Sequence, residues 1–189
     1  PEALIAVASG SERVYALGYF GHKLYTWDGE RIQGVAVGAA GGHISRNLLV
    51  DGRGHAHVPR LGEDGRASLV EFDAQLRELA SPELPDYLGK LSPAEHHGIT
   101  GVTRLRDGGL VFTTHRGQLY RLNYPASGPA RLHALGWFHP DGEAYAPGLF
   151  SFSGHQLIAG LALRSRGKRY DWVVYDLKSG FGAAFPLAT

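Results

Sequence analysis

A five-residue pattern that ends in Asp or Asn occurs four times along this chain. The copies lie at residues 24–28, 69–73, 119–123 and 172–176. The fourth position is always large and apolar, and the fifth is a residue type that starts turns, so each copy predicts a strand closed by a turn. Recurrence at intervals of about 40 to 55 residues predicts an array of similar structural repeats.

Tight-turn sites form a second landmark with the same phase. They lie at residues 9–11, 51–54, 107–109 and 153–155, each between two apolar strands. Together the two landmarks predict four strands in each repeat. The predicted strands are 4–8, 14–20, 23–28 and 31–37 in the first repeat, and 99–105, 110–115, 118–123 and 131–137 in the third.

Glycine is spread through the chain as short turns between runs of Val, Leu, Tyr, Phe and Trp. With 27 glycines in 189 residues, this punctuation is typical of many short strands and predicts an all-β protein. Helical character is confined to residues 74–80, and a strand is still the favoured prediction there. An ordinary β-sandwich is the rival architecture.

The combination of strand, Asp-Gly-x-Gly turn and strand at 48–58, followed by the run at 69–73, resembles a broad group of propeller repeats. This group includes regucalcin and gluconolactonase-like proteins, NHL repeats and two-component-regulator propellers. The resemblance implies a single β-propeller over residues 1–189, with four four-stranded antiparallel blades at about 3–41, 42–95, 96–146 and 147–189. It implies little about function, because such propellers bind proteins, sense ligands, or catalyse lactone and lyase chemistry.

The number of blades bears on how the ring would close. Four complete blades leave no terminal strand to complete another blade, and the chain begins with Pro1 rather than Met. We therefore expect a part of a larger ring, completed by further chain or by self-association with a second copy. A closed four-bladed ring is the alternative.

Composition narrows the classes of partner. The 19 basic and 18 acidic side chains produce no strong surface field, which argues against nucleic acid. Cysteine is absent, so disulfides and thiolate metal sites are excluded. No apolar run reaches the roughly 18 residues that would span a membrane. These features lead us to expect a soluble protein of the cytoplasm or periplasm.

The loops that lead into the innermost strands of a propeller converge on one mouth of its channel, which makes them the candidate binding surface. The binding residues predicted there are His43, Ser45, Arg46, Asn47, Glu95, His96, His97, Thr100 and Tyr145. The favoured function is a non-catalytic module that binds a protein partner or a small molecule at this face and needs no cofactor. A purely structural role, holding neighbouring domains or a second copy, is a third class.

The alternative function is a metal-dependent hydrolase or lyase of lactonase-like type. His43, His97 and Glu95 would bind a divalent metal, because imidazole and carboxylate suit such ions. The gluconolactonase-like metal site is built from Glu, Asn and Asp, so a histidine-rich mouth departs from that pattern. The same histidines could instead hydrogen-bond backbone carbonyls.

A further pair, His55 and His57, has the period-two spacing that places both imidazoles on one face of a strand. A cupin metal motif begins in this way. The next acid, Glu63, follows Pro59 and lies in a turn, and the fourfold repeat contradicts a cupin barrel. We therefore predict that both are surface or inter-blade histidines.

Overall fold

The chain is built of β-strands throughout the residues that the structure describes. The computed structural model describes residues 2–10, 12–40, 47–84, 98–152, 156–164 and 169–187. Sixteen strands lie in these ranges: β1 (Leu4–Ser9), β2 (Val14–Gly18), β3 (Lys23–Trp27), β4 (Ile32–Ala36), β5 (Leu49–Val50), β6 (Ala56–Leu61), β7 (Ala67–Phe72), β8 (Glu78–Ala80), β9 (Ile99–Arg104), β10 (Leu110–Thr114), β11 (Gln118–Asn123), β12 (Arg131–Trp137), β13 (Leu149–Phe152), β14 (Leu157–Arg164), β15 (Arg169–Asp176) and β16 (Phe181–Pro186). The same ranges contain no helix that is long and apolar enough to cross a membrane.

The strands form four antiparallel sheets, each made of four consecutive strands in sequence order. We call them blade 1 (β1–β4), blade 2 (β5–β8), blade 3 (β9–β12) and blade 4 (β13–β16). The predicted all-β fold with four four-stranded antiparallel blades is therefore confirmed. The predicted strand at 118–123, for example, coincides with β11.

Local hydrogen bonds explain why the first hairpin of a blade turns where it does. In blade 2 the carboxylate of Asp51 accepts the backbone N–H of Arg53 at 2.8 Å, and Gly54 takes a φ of +83°. Gly108 has the same role in blade 3, with a φ of +81°. Such a φ is accessible to glycine because it has no Cβ. The predicted turn at 153–155 lies outside the described residues.

The Asp or Asn that ends the third strand of each blade acts in two ways. Asp28, Asp73 and Asp176 each accept the backbone N–H of the second residue beyond them, at 2.9 to 3.0 Å, and this bond starts a tight turn. Asn123 instead accepts the Nε–H of Arg121 at 2.7 Å. After Asn123 the chain continues into a longer connection before β12, and this connection contributes to the candidate site.

Residues 74–80 begin with a turn and end in a short strand, β8. The carboxylate of Asp73 accepts the backbone N–H groups of Gln75 and Arg77 at 2.9 Å each. Leu76 takes a φ of +59°, and its side chain packs in the blade 1–blade 2 core. The helical character of this stretch is therefore overridden by the turn that Asp73 starts.

The chain divides into two compact units. Unit 1 consists of Pro1–Gly98 with Tyr124–Arg131, and unit 2 consists of Ile99–Asn123 with Leu132–Thr189. In unit 1, blades 1 and 2 pack face to face through a core that includes Tyr15, Leu17, Leu24, Val58, Val70 and Phe72. In unit 2, blades 3 and 4 pack through a core that includes Val111, Leu119, Phe138, Ile158, Val173 and Tyr175. Each core uses alternate residues of its strands, as the period of two requires.

Candidate functional site

Most residues of the predicted binding rim lie outside the described residues. They are His43, Ser45, Arg46, Glu95, His96 and His97, so binding and metal coordination by these side chains stay predictions. The described members are Asn47, in unit 1, and Thr100 and Tyr145, both in unit 2.

Thr100 and Tyr145 serve packing within unit 2. The Oγ1 of Thr100 donates a hydrogen bond to the carbonyl of Ala146 at 2.8 Å. The ring of Tyr145 lies 5.2 Å from the ring of His115, measured between centroids, and its backbone forms a β-bridge with Leu163. These contacts join β9, β14 and the segment before β13.

Blade 2 brings together five charged or titratable side chains, which we call the blade 2 cluster. Its members are Asp51 and Arg53 in the β5–β6 turn, His55 just before β6, His57 in β6, and Glu71 in β7. The antiparallel register places His57 directly opposite Glu71. Since their strand neighbours Ala56, Val58, Val70 and Phe72 face blade 1, His57 and Glu71 lie on the other face of the sheet.

Arg53 is the cation at the centre of the cluster. Its Nη2 lies 2.6 Å from Glu71 Oε1 and 3.0 Å from Asp51 Oδ2. Its Nη1 donates to the carbonyl of Gly128 at 2.6 Å, and the guanidinium lies 4.8 Å from the centroid of the Tyr124 ring. The planar fork of an arginine can serve several acceptors at once. Arg53 thereby joins blade 2 to the segment 124–131 within unit 1.

Glu71 is almost fully buried, with 1% of its side chain exposed. Its Oε1 accepts from Arg53 and from His55 Nδ1, the latter at 2.7 Å, and its Oε2 accepts the backbone N–H of Ala130 at 2.6 Å. An unpartnered carboxylate in such a place would be very costly, and these bonds offset that cost. Glu71 therefore binds the segment 124–131 to blade 2 through the backbone of Ala130.

Asp51 has its pKa well below the ordinary value of 3.8. Burial by itself raises the pKa of this carboxyl. The hydrogen bond and the electrostatic attraction of His57, whose Nε2 lies 3.1 Å away, lower it, and so do the bonds from Arg53 and from the backbone N–H of His55. The lowering effects prevail, because each favours the charged form. Asp51 is therefore ionised at neutral pH.

His57 is buried, with 1% of its surface exposed, so of the two predicted places, at the surface or between blades, it does not lie at the surface. The reason lies in its strand position: its side chain points to the face where Asp51 and Glu71 also lie. His55 is only partly buried, with 20% of its side chain exposed. The two histidines bond to carboxylates of the same cluster, which agrees with their period-two spacing.

An open cleft of about 460 Å³ lies beside the cluster. Its lining includes Arg53, His55, Asp73, Gln75, Arg77, Leu79 and residues 126–129, all of them in unit 1. Small-molecule sites in proteins have volumes of about 300 to 1,000 Å³. The cleft therefore has the size of a site for a small ligand.

His55 and Arg77 present polar groups to this cleft. Because His55 Nδ1 donates to the Glu71 carboxylate, a neutral His55 carries its acceptor at Nε2. Arg77 has 73% of its side chain exposed and uses Nε and Nη2 on Asp73 Oδ2, at 2.7 Å each. A guanidinium has five N–H donors, so Arg77 retains others for a ligand.

Asp73, which pairs with Arg77, also has a lowered pKa. Partial burial raises the pKa of this carboxyl, but the backbone and side-chain hydrogen bonds from Arg77 and the backbone N–H of Gln75 lower it by more. Asp73 is therefore ionised and holds Arg77 at the edge of the cleft. Ligand contacts would come from Arg77 and His55, with Leu79 and Pro129 as the apolar part of the wall.

The cluster also has a donor set that could suit a divalent metal. Ligand atoms of Asp51, His55 and Glu71 lie within 4.8 Å of one another, and imidazole with two carboxylates is a common set. However, the Arg53 guanidinium bonds to both carboxylates and already supplies the positive charge. A metal would have to displace Arg53, so the cluster does not fit a resident metal ion.

Sequence reasoning missed Arg53, Glu71 and the segment 124–131. One signal was available: the hairpin of β6 and β7 turns at residues 62–66, and counting outward from this turn sets Glu71 opposite His57. A charged side chain paired with a histidine inside an apolar strand indicates a buried polar cluster.

No protein-family model matches the chain, and no curated protein sequence matches it either. Solved structures do match. The chain aligns with the Dos1 propeller at a TM-score of 0.67 and 12% identity, covering 98% of this chain and 50% of that one. It aligns with the GH74 enzyme of Niastella koreensis at 0.60 and 14% identity, covering 96% and 30%.

A third match is the extracellular domain of a B. thetaiotaomicron protein assigned to a hybrid two component system. Its TM-score is 0.58 at 10% identity, with 98% of this chain and 23% of that one covered. The fold is a β-propeller. At such identities the likeness concerns fold alone. The chain spans half or less of the length of these three chains.

Proposed function

We propose that this propeller is a non-catalytic binding module whose cleft in unit 1 takes a small, neutral, polar molecule such as a sugar. The observation that carries the proposal is the cleft of about 460 Å³ beside the blade 2 cluster. Arg77 offers exposed donors there, and its bond to Asp73 holds it in place. His55 offers the acceptor Nε2, and its bond to Glu71 holds the ring in place.

The charges around the cleft favour a neutral ligand. Arg53 pairs with Asp51 and Glu71, and Arg77 pairs with Asp73. Each cation therefore has its counter-ion, and a charged ligand would have to break an existing pair. A polyol can instead add hydrogen bonds to Arg77 and His55 and place its C–H groups against Leu79 and Pro129.

The bonding of the carboxylates supports binding over catalysis. A general acid or base needs a proton position that it can share with the substrate. Asp51, Glu71 and Asp73 each use both carboxylate oxygens on donors of this chain. The fold itself does not distinguish binding from catalysis, because the matched structures include both an enzyme and an extracellular domain.

Titration with glucose, galactose and xylose, followed by amide NMR shifts, tests the proposal. We expect saturable shifts at residues 73–79 and 126–129 for at least one sugar. The Arg77→Ala and His55→Phe variants each lose one hydrogen bond to the sugar, so the affinity for the sugar should fall by about tenfold, or about 1.4 kcal/mol. Arg116→Ala is the matched control, since Arg116 is an exposed arginine paired at 3.0 Å with Glu143 in unit 2.

Two results would overturn the proposal. The first is the absence of saturable shifts in the cleft with all three sugars. The second is stoichiometric metal in the purified protein that disappears in His43→Ala or His97→Ala, because this would replace a binding module by the metal-dependent hydrolase or lyase.

A further inference from the structure

Blade 4 has one sheet face covered by blade 3 and an opposite face that is exposed. Ile158, Val173 and Tyr175 belong to the core of unit 2. The alternate residues form the other face, which we call the blade 4 outer face. Its aromatic members are Phe150, Phe152, Tyr170, Trp172, Phe181 and Phe185, and 36% to 67% of each is exposed.

The strand register confirms that these side chains share one face. Leu161 pairs with Trp172, and Trp172 pairs with Phe185. In the next rows Phe150 pairs with Ala159, and Asp176 pairs with Phe181. Directly paired residues of antiparallel strands project to the same side. Among the described residues of these four strands, Asp176 is the only charged side chain on the outer face.

Blade 1 also has an exposed face with large apolar side chains, which we call the blade 1 outer face. Val7, Ala16 and Tyr25 form one row of paired residues, and Trp27 pairs with Ile32 in the next. Val7 is 65% exposed, Trp27 48% and Ile32 74%. This face is mixed, because it combines the aliphatic Val7 and Ile32 with the aromatic Tyr25 and Trp27, and Lys23 projects to the same side as Tyr25. The blade 4 outer face is largely aromatic.

The size of the blade 4 outer face indicates the kind of partner. An aromatic side chain buries about 150 to 250 Å², so six half-exposed aromatics offer on the order of 600 Å². Leu161, Leu163 and Leu187 on the same side extend this area toward the roughly 800 Å² per partner of a stable interface. A small ligand would cover only a fraction of it.

We propose that the blade 4 outer face of one copy packs on the blade 1 outer face of a second copy of this chain. Within each unit the chain already covers an apolar sheet face with the face of another blade, and a second copy supplies such a face. The large aromatics can also interdigitate with the smaller Val7, Ala16 and Ile32 better than with a second copy of the blade 4 outer face. The contact is therefore head to tail and does not depend on the sugar cleft.

Light scattering after size exclusion tests this contact. We expect the wild-type chain to form dimers or longer head-to-tail oligomers, and Trp172→Glu to weaken the association by about 100-fold or more, because it buries a charge in the centre of the interface. Phe20→Glu is the matched control, since Phe20 is an aromatic residue, 62% exposed, in the β2–β3 connection outside both faces.

Mixing two variants distinguishes head-to-tail packing from a symmetric contact. Trp27→Glu damages the blade 1 outer face, and Trp172→Glu damages the blade 4 outer face, so each variant alone should be monomeric. Their mixture retains one intact pair of faces and should form a one-to-one heterodimer. Circular dichroism melting confirms that both variants are folded.

Three outcomes would overturn the proposal. A monomeric wild-type chain would show that something other than a second copy covers the two faces. Association that survives Trp172→Glu would place the contact elsewhere. Association that survives Trp27→Glu, or the lack of a heterodimer in the mixture, would exclude the head-to-tail arrangement.

Discussion

Two connecting segments of this propeller are held in place by different kinds of interaction, one by charged side chains and the other by neutral hydrogen bonds. Residues 124–131 of unit 1 are held by charged side chains: Arg53 bonds to the carbonyl of Gly128, and the buried Glu71 accepts the N–H of Ala130. Residues 144–146 of unit 2 are held by neutral bonds. There the carbonyl of Ala146 accepts both Thr100 and Thr113, at 2.8 Å and 3.2 Å.

The neutral segment also relies on close backbone contact. Gly117 has a φ of +91°, and a Cβ added to it would overlap the carbonyl oxygen of Ala144. The charged segment relies instead on side chains that need counter-ions. The comparison teaches that the segment 124–131 depends on ionisation and the segment 144–146 on shape, so different substitutions and conditions should weaken them.

The largest effect is expected from Gly117→Ala in unit 2. The new methyl combines an unfavourable left-handed backbone with an overlap of main-chain atoms, and the two costs together are about 4 kcal/mol. Gly136→Ala is the matched control, since Gly136 has the same φ of +91° but open space around it, and should cost about 1 kcal/mol. Urea unfolding measures both. Equal losses would show that the close contact at Ala144 does not matter.

Glu71→Gln should have the next largest effect. The substitution leaves the partly buried guanidinium of Arg53 without one of its two carboxylate partners and should cost about 3 kcal/mol of unfolding free energy. Glu143→Gln breaks an exposed pair with Arg116 and should cost under about 1 kcal/mol. If both variants unfold at the same urea concentration, unit 1 does not depend on its buried charges.

Acid should weaken the charged cluster. The pKa of Asp51 is lower in the folded chain than its ordinary 3.8, so its contribution to stability is full above that value and is lost as the pH falls below it. One such carboxylate accounts for a loss on the order of 2 kcal/mol. Urea midpoints measured from about pH 6 to pH 2 should therefore fall, and fall less in Asp51→Asn. An identical slope in that variant would contradict the assignment.

Thr100→Val should have the smallest effect of the four. It removes one neutral hydrogen bond to Ala146 and keeps the shape of the side chain, so about 1 kcal/mol is expected. The measurement is again urea unfolding. A loss of unfolding free energy as large as that of Glu71→Gln would show that charged and neutral contacts stabilise the two segments equally.

Local features of the fold were predictable from the sequence. The strand at 118–123 follows from the five-residue run at 119–123 that recurs in every blade, and the turn at 51–54 follows from Asp51 and two glycines. Both depend on neighbours within a few residues, which the sequence displays directly. The Asp at the end of a third strand was equally readable, although Asn123 leads into a longer connection.

The candidate site was only partly predictable. The spacing of His55 and His57 placed them on one face, yet the partner Ala130 lies 59 residues beyond Glu71. Glu71 stands at the third position of its five-residue run, where Thr26 and Arg121 stand in other blades. The residue type at that position therefore does not show whether the side chain is buried and bonded or exposed to solvent.

By itself, the sequence determined the number of strands, their order and the turns between them, because alternation, glycine and Asp act over a few residues. Only the tertiary structure decided which apolar faces are covered and which charges are buried. A strand pattern defines two faces but not the neighbour that covers each one. The pairing of Arg53 and Glu71 with residues 128 and 130 likewise exists only once distant parts of the chain have packed together.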